Sequence, residues 1–187
     1  MRLITGFQIT DILLAQPQVH RLYRALDMPL FRCAHDRSRQ GGVVARQLMA
    51  PFREGLYASS AYLEAFGIPV TPADLSRHRL IGYRFITNNR ILPLILEENG
   101  GQLTLDMQGQ LISNDIDVMA DGIRSGLGIG RLFEPVYQLQ ADKDRFIPVM
   151  EPYWKTYPPV FLYYPKSAGK TKRVQSLIEF LILKNTK

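Results

Sequence analysis

From Gly41 onward, short apolar runs alternate with turn signals in a rhythm that predicts strands and helices in turn. GG reads as a turn, VVARQL as a β-branched strand, and Pro51 leads into a second strand, EGLYAS. Ser59 and Ser60 then cap a short helix, SAYLEAFG, which Gly67 stops. Thr71, Pro72 and Asp74 mark one turn of helix. LIGYRF follows as a buried strand, and ILPLILEENGGQLTLDMQGQLIS as a pair of strands around Asn99, Gly100 and Gly101. The clearest helix is expected to have Asn114 as its N-cap, Asp115 and Asp117 in its first turn, an apolar stripe of Ile116, Met119, Ala120 and Ile123, and Gly126 at its end. LGIGRL, RFIPVM and VFLYYPK read as strands, FEPVYQLQ as a short helix, and Thr171 to Leu183 as an amphipathic helix with Val174, Leu177, Ile178 and Leu181 on one face. Residues 1–35 give mixed signals: ITDILLAQ has the character of a helix end, and VHRLYRAL of a short helix or strand.

Strands alternating with helices over this length predict an α/β fold with mixed, mostly parallel sheets. There is no internal repeat and no low-complexity linker, so two lobes would have to be joined by strands such as VVARQL and VFLYYP.

Composition narrows the picture little. The chain has 187 residues, 46% apolar and 21% charged, as a folded domain should. A net charge of +6 favours acidic partners, yet the basic residues fall in two regions, Arg32–Arg53 and Lys166–Lys187, without a run of like charges that would make a nucleic-acid arm. A single cysteine, Cys33, makes no internal disulfide and no Cys-rich zinc site, which fits a reducing cytoplasm. Asp11 interrupts the apolar N-terminal stretch and no cleavage motif follows, so neither secretion nor a membrane span is expected.

No catalytic arrangement stands out. His20, His35 and His78 have no metal-ligand spacing, no serine sits in a GxSxG setting, and no metal or cofactor is expected. GLGIG runs from a helix end into a strand, the reverse of the order a phosphate loop needs. Asp115 and Asp117 lie on different helix faces and read as structural first-turn carboxylates. The features that suit a ligand are the helix starts at Ser59–Ser60 and Ser113–Asn114, each after a strand, where free N–H groups could hold a carboxylate or phosphate. Each cap could equally serve only its own helix. Tyr83 and Arg84 offer an aromatic face and an anion clamp, or simple surface cover. Gly126, Gly128 and Gly130 allow a cleft wall or tight packing, with Ile129 between them.

Taken in order, these motifs resemble a family. YASSAYLEAFGIPVTPADLSRHRLIGYRF is similar to the stretch of LysR-type transcriptional regulators that reads as a small-residue turn, YL, a G-x-P-x-x-P-x-D-L segment and then H. GQLISNDIDVMADGIRSGLGIGRLFEPV resembles their capped helix and glycine-rich strand, and FLYYPKSAGKTKRVQSLIEFL their closing strand and terminal helix. The resemblance covers about Val43 to Leu183.

It implies the effector-binding domain of such a regulator, with a two-lobed, type 2 periplasmic-binding-protein-like fold. Residues 1–48 would form a partial first lobe, residues 49–159 the second, and residues 160–187 a crossover strand and a helix returning to the first. The first lobe is expected to be incomplete or rebuilt. A small-molecule inducer, anionic by its candidate anchors, would lie between the lobes against Ser59, Ser60, Tyr83, Arg84, Asn114, Gly128 and Ile129. The domain would pair into a homo-oligomer, a dimer or tetramer, and DNA would be reached only through a helix-turn-helix for which residues 1–40 offer neither length nor pattern. The expected role is sensing without catalysis. The alternatives are a truncated interaction-only module, a solute-binding protein of a transporter, and an enzyme using Asp115, His78 or Arg84.

Overall fold

The computed structural model describes residues 32–34, 42–84, 89–106, 111–167 and 171–185. The readings for residues 1–31, together with Gly41 and the stretch 107–110, lie outside the described residues. The chain divides into two compact units, residues 52–157 and a second that joins described residues up to Pro51 with those from Pro158 on.

In that second unit β1 (Arg32–Ala34) and β2 (Val43–Met49) flank β11 (Val160–Pro165) in an antiparallel sheet. Helix α4 (Lys172–Asn185) packs against β2 and buries Val174 and Ile178, four residues apart and therefore on one face.

The 52–157 unit is built on β3 (Phe52–Ala58), which pairs with β8 (Ile129–Phe133), β9 (Ile147–Val149) and β10 (Lys155–Tyr157). Beyond β8 lie β4 (Leu80–Tyr83) and β7 (Leu111–Ser113), giving the order β10-β3-β8-β4-β7. Mixed sheets are therefore present, but the expectation of mostly parallel pairing is corrected: among the described pairings only those of β4 with β7 and β8 are parallel. The chain enters this unit along β3 and leaves along β10, and adjacent strands that enter and leave by the same end must run oppositely. Lys155–Tyr157 is also a strand that no pattern announced, because three residues carry no readable period.

Alternation along β3 sends Leu56 and Ala58 to one face and Tyr57 to the other. The first face is covered by the hairpin of β5 (Leu94–Glu98) and β6 (Gly101–Leu105), whose Leu94 and Leu96 join Leu56, Leu80 and Ile129 in one buried cluster. Asn99 and Gly100 both have positive φ, 50° and 77°, as a two-residue turn of this hand requires. On the other face, α2 (Ile116–Arg124) sets Ile123 against Gly130, and α3 (Glu134–Gln138) brings Tyr137 to stack on Tyr57 at 4.7 Å.

Helix α1 (Ser60–Phe66) starts and stops as its sequence predicts: Ser59 accepts from the Tyr62 amide at 3.3 Å and Gly67 donates to the Leu63 carbonyl at 2.8 Å. For α2 the N-cap is Asp115 rather than Asn114. Its carboxylate accepts from the amides of Asp117 at 2.8 Å and Val118 at 3.2 Å. Asn114 lies exposed on a bend, because the Ser113 hydroxyl already accepts from the Asp115 amide at 3.0 Å and moves the helix start by one residue.

Gly126 follows α2 with φ of 71°, and Gly128 lets the start of β8 lie close against Arg79, the residue before β4. A Cβ on Gly128 would collide with the Arg79 carbonyl oxygen, the oxygen to which Ile129 donates at 2.8 Å. Gly128→Ala should therefore lower the unfolding free energy by about 1–3 kcal/mol. Gly101→Ala, whose Cβ would meet only the Glu98 carbonyl at 3.5 Å, should change it by less than about 1 kcal/mol. Urea titrations of the two variants test the difference.

Candidate functional site

The seven residues singled out by sequence fall in the 52–157 unit, at opposite edges of its sheet. Tyr83, Arg84 and Asn114 stand at the carboxyl ends of the parallel strands β4 and β7, where Tyr83 is level with Ser113 and the Arg84 amide donates to the Ser113 carbonyl at 2.8 Å. Ser59 follows β3, which runs the other way, so Ser59, Ser60 and Gly128 gather at the amino edge of β4 beside Arg79. Ile129 and Gly128 are buried there in the seam with β4, and Ser60 is exposed. Within GLGIG, Gly128 and Gly130 allow close packing on Arg79 and Ile123, and Gly126 takes a positive φ at the end of α2.

At the carboxyl edge, residues 89–93 fold back against the end of β4. Leu92 donates to the Tyr83 carbonyl at 2.8 Å, Arg84 bridges to Ile91, and Arg84 Nη1 donates to Asn89 Oδ1 at 3.2 Å. Arg84 Nε is buried and has no acceptor among the described residues. Such a donor on a permanently charged group is costly to leave unmet.

Sequence reasoning missed the most unusual polar group nearby. Glu54 and Arg131 are 3% and 5% exposed and ion-paired at 3.4 Å between the neighbouring strands β3 and β8. The Tyr157 hydroxyl donates to Glu54 Oε2 at 3.0 Å, Arg131 Nη1 donates to the Pro93 carbonyl at 2.8 Å, and Arg131 Nη2 donates to that of Leu92. Burial, first, and then the Glu54 carboxylate push the Tyr157 hydroxyl far above its ordinary range, so it stays a neutral donor. The alternation of FREGLYA could have flagged Glu54 as sharing a face with Leu56. Arg131 carried a similar hint, one residue beyond two glycines.

The amino edge holds a second polar group. Tyr62 Oη accepts from the Arg79 amide at 2.8 Å and lies 3.2 Å from His78 Nδ1, so its proton is available to a neutral imidazole. Burial holds the His78 pKa below its usual value, opposed by the Asp74 carboxylate. Asp74 itself is held below the usual carboxylate range by hydrogen bonds from the backbone and side chain of Thr71 and from the Val70 amide.

A depression of about 350 Å³ between the Pro72–Arg77 turn and the β5–β6 hairpin is lined by Thr71, Pro72, Ala73, Glu98, Leu103 and Leu105, none of them among the seven. Among the described residues, no three of His, Cys, Asp and Glu gather to hold a metal, and no helix is long and apolar enough to cross a membrane.

The chain is thus α/β, in two compact units, with a mixed sheet in the 52–157 unit. The chain belongs to the LysR substrate binding domain family, whose model matches residues 22–184. It is 27% identical over 132 residues to a transcriptional regulator of Pseudomonas aeruginosa, covering 68% of this chain and 43% of that protein. It is 24% identical over 132 residues to the HTH-type transcriptional regulator YcaN of Escherichia coli, covering 70% and 42%. The chain thus spans less than half the length of these relatives. Among solved structures, full-length AphB of Vibrio cholerae superposes with a TM-score of 0.65 at 20% identity, covering 83% of this chain and 51% of that one. The regulatory domain of the LysR-type regulator CrgA from Neisseria meningitidis superposes at 0.64 and 16%, covering 94% of both. The two-lobed α/β class expected from sequence is the fold of these domains.

The His78 shift sets a pH dependence. Because the folded pKa is lowered, the neutral ring's contribution to stability is present above the unfolded value of about 6.5 and is lost as pH falls through and below it. The melting temperature should therefore decline from about pH 7.5 to about pH 5.5, and His78→Gln should flatten that decline. The Asp74 contribution runs in a separate, more acidic window, lost only as pH falls below about 4. Melting curves across pH for both proteins check this.

Proposed function

We propose that this chain is the sensing domain of a LysR-type transcriptional regulator, and that it binds a small anionic inducer without transforming it. The anchor is the carboxyl edge of the 52–157 sheet, with Arg84 as the charged contact and Tyr83 and Asn114 beside it. The observation that carries this reading is the buried Arg84 Nε, a charged donor without an acceptor among the described residues, held at the edge where open α/β sheets take ligands. A carboxylate there would accept from Nε and one Nη in a fork, the geometry for which arginine is suited.

The amino-edge residues Ser59, Ser60, Gly128 and Ile129 are left in this reading with capping and packing duties. Occupancy would act by differential affinity, favouring one arrangement of a cytoplasmic homo-oligomer over another. DNA would be contacted through a helix-turn-helix like that named in the E. coli relative.

Thermal unfolding against acetate, succinate, benzoate, glutamate and inorganic phosphate tests the proposal. A ligand at ~100 times its dissociation constant should add ~2.7 kcal/mol of stability, without turnover, and Arg84→Gln should abolish the gain while the variant still melts cooperatively. A gain that survives Arg84→Gln would move the anchor elsewhere. No gain with any anion would favour an interaction-only module.

A further inference from the structure

We infer that Arg131, buried and remote from solvent, is a positioning residue for the Arg84 anchor, and that Glu54 and Tyr157 tie it to the strands by which the chain enters and leaves the 52–157 unit. The inference rests on reading Arg84 as the ligand anchor and extends it to what holds that anchor in place.

The network runs bond by bond from the anchor inward. Arg84 owes its setting to the segment 89–93, which bridges it at Ile91, ties the adjoining Tyr83 carbonyl through Leu92, and bonds its guanidinium through Asn89. That segment is held in turn by Arg131, which donates to two successive carbonyls, of Leu92 and Pro93. Arg131 pairs with Glu54, and Glu54 accepts from Tyr157. Lys155, level with Glu54 on β10 and also buried, places its ammonium 4.8 Å from the Tyr157 ring. Phe52 and Tyr157, the first and last residues of the unit, are register partners with rings stacked 5.6 Å apart, and Phe133 packs edge-on against both.

Stability alone is a poor reason for such a pair. Removing two charges from water costs about as much as their attraction returns, and apolar replacements of similar volume are often neutral or stabilising. An apolar pair, however, could not grip two backbone carbonyls. The guanidinium fork is the feature that fastens residues 92–93 to β8, and the carboxylate fixes the fork's orientation. Any displacement of Arg84 by a ligand would therefore be felt at Glu54 and Tyr157, where the chain crosses between its units.

The test is site-resolved hydrogen exchange on the whole chain, comparing wild type with the double variant Glu54→Leu/Arg131→Met and with Arg131→Lys. If Arg131 positions the segment, the double variant unfolds cooperatively, its Arg84 and Leu92 amides exchange at least about tenfold faster, and amides of the β5–β6 hairpin keep their wild-type rates. Affinity for benzoate or succinate, whichever the wild type binds, then falls about tenfold or more, with Arg131→Lys falling between. Unchanged protection at Arg84 and Leu92 overturns the inference, and the same comparison on Arg131→Lys decides the question should the double variant fail to fold. Uniform acceleration across the hairpin as well would mark Arg131 as merely structural and overturns it too. If the wild type binds none of acetate, succinate, benzoate, glutamate and inorganic phosphate, the anchor reading fails by itself, and the exchange rates still decide whether Arg131 holds the segment.

Discussion

The hydrogen bond from the Ile129 amide to the Arg79 carbonyl, made over a glycine, decides which strand ends lie together in the 52–157 unit. It seats β8 parallel to β4, with Ile129 level with Leu80. β3, antiparallel to β8, must then bring its own end, Ala58 and Ser59, to the amino edge of β4. At the opposite edge the carboxyl ends of β4, β7 and β8 meet the start of β3 and the end of β10. A side chain at Gly128 would push β8 away from Arg79, and both edges would lose their definition. The close approach is therefore what sets the end of β3, with its helix cap, apart from the carboxyl ends of β4 and β7.

Local signals in the sequence were enough for α1, the 3-10 turn and the Asn99–Gly100 hairpin, because each is set by a cap or a turn only a few residues long. The N-cap of α2 lies one residue beyond the position its pattern predicts, because Asn114 and Asp115 are both good caps. The choice between them fell to the Ser113 hydroxyl, a contact no pattern displays. Strand direction was less legible still. Side-chain alternation reports which face a residue occupies, and it carries no information about whether the neighbouring strand runs with it or against it. The two serine and asparagine helix starts consequently looked equivalent, each after a strand. The opposite direction of β3 and β7 places them at opposite edges.

The buried charges were illegible for a different reason. Glu54 and Arg131 lie 77 positions apart in the sequence, and each alone would read as a polar interruption in an apolar strand. Only the β3–β8 register, which sets Glu54 level with Phe133 and Gly55 level with Leu132, brings them face to face. Removing one partner would leave an uncompensated buried charge, at a cost of about 3–5 kcal/mol, so the two positions constrain each other across the chain. Arg53, the neighbour of Glu54, points to the other face, bonds Glu134 at the start of α3 and covers the Trp154 ring. The basic segment that ends at Arg53 is thus engaged internally at that residue and does not form a free cationic arm there.

Arg84 differs from these paired groups in having no carboxylate partner among the described residues. Arg131 also has a buried Nε with no acceptor among the described residues, but a carboxylate and two carbonyls meet its other two nitrogens, and Arg124 is clamped by Asp121, Asp142 and Gln140. Arg84 has one neutral acceptor, Asn89, and a buried Nε with none among the described residues. A charged donor left partly unmet makes the unliganded protein less stable than it could be, and an anion that meets it returns that free energy on binding. If the same segment, 89–93, is gripped by Arg131, the gain depends on how Arg131 and Glu54 are set, and so on the strands that carry the chain out of the unit. Coupling of this kind requires only that the ligand bind one setting of the network better than another. An arginine with a full set of protein partners could not supply that difference.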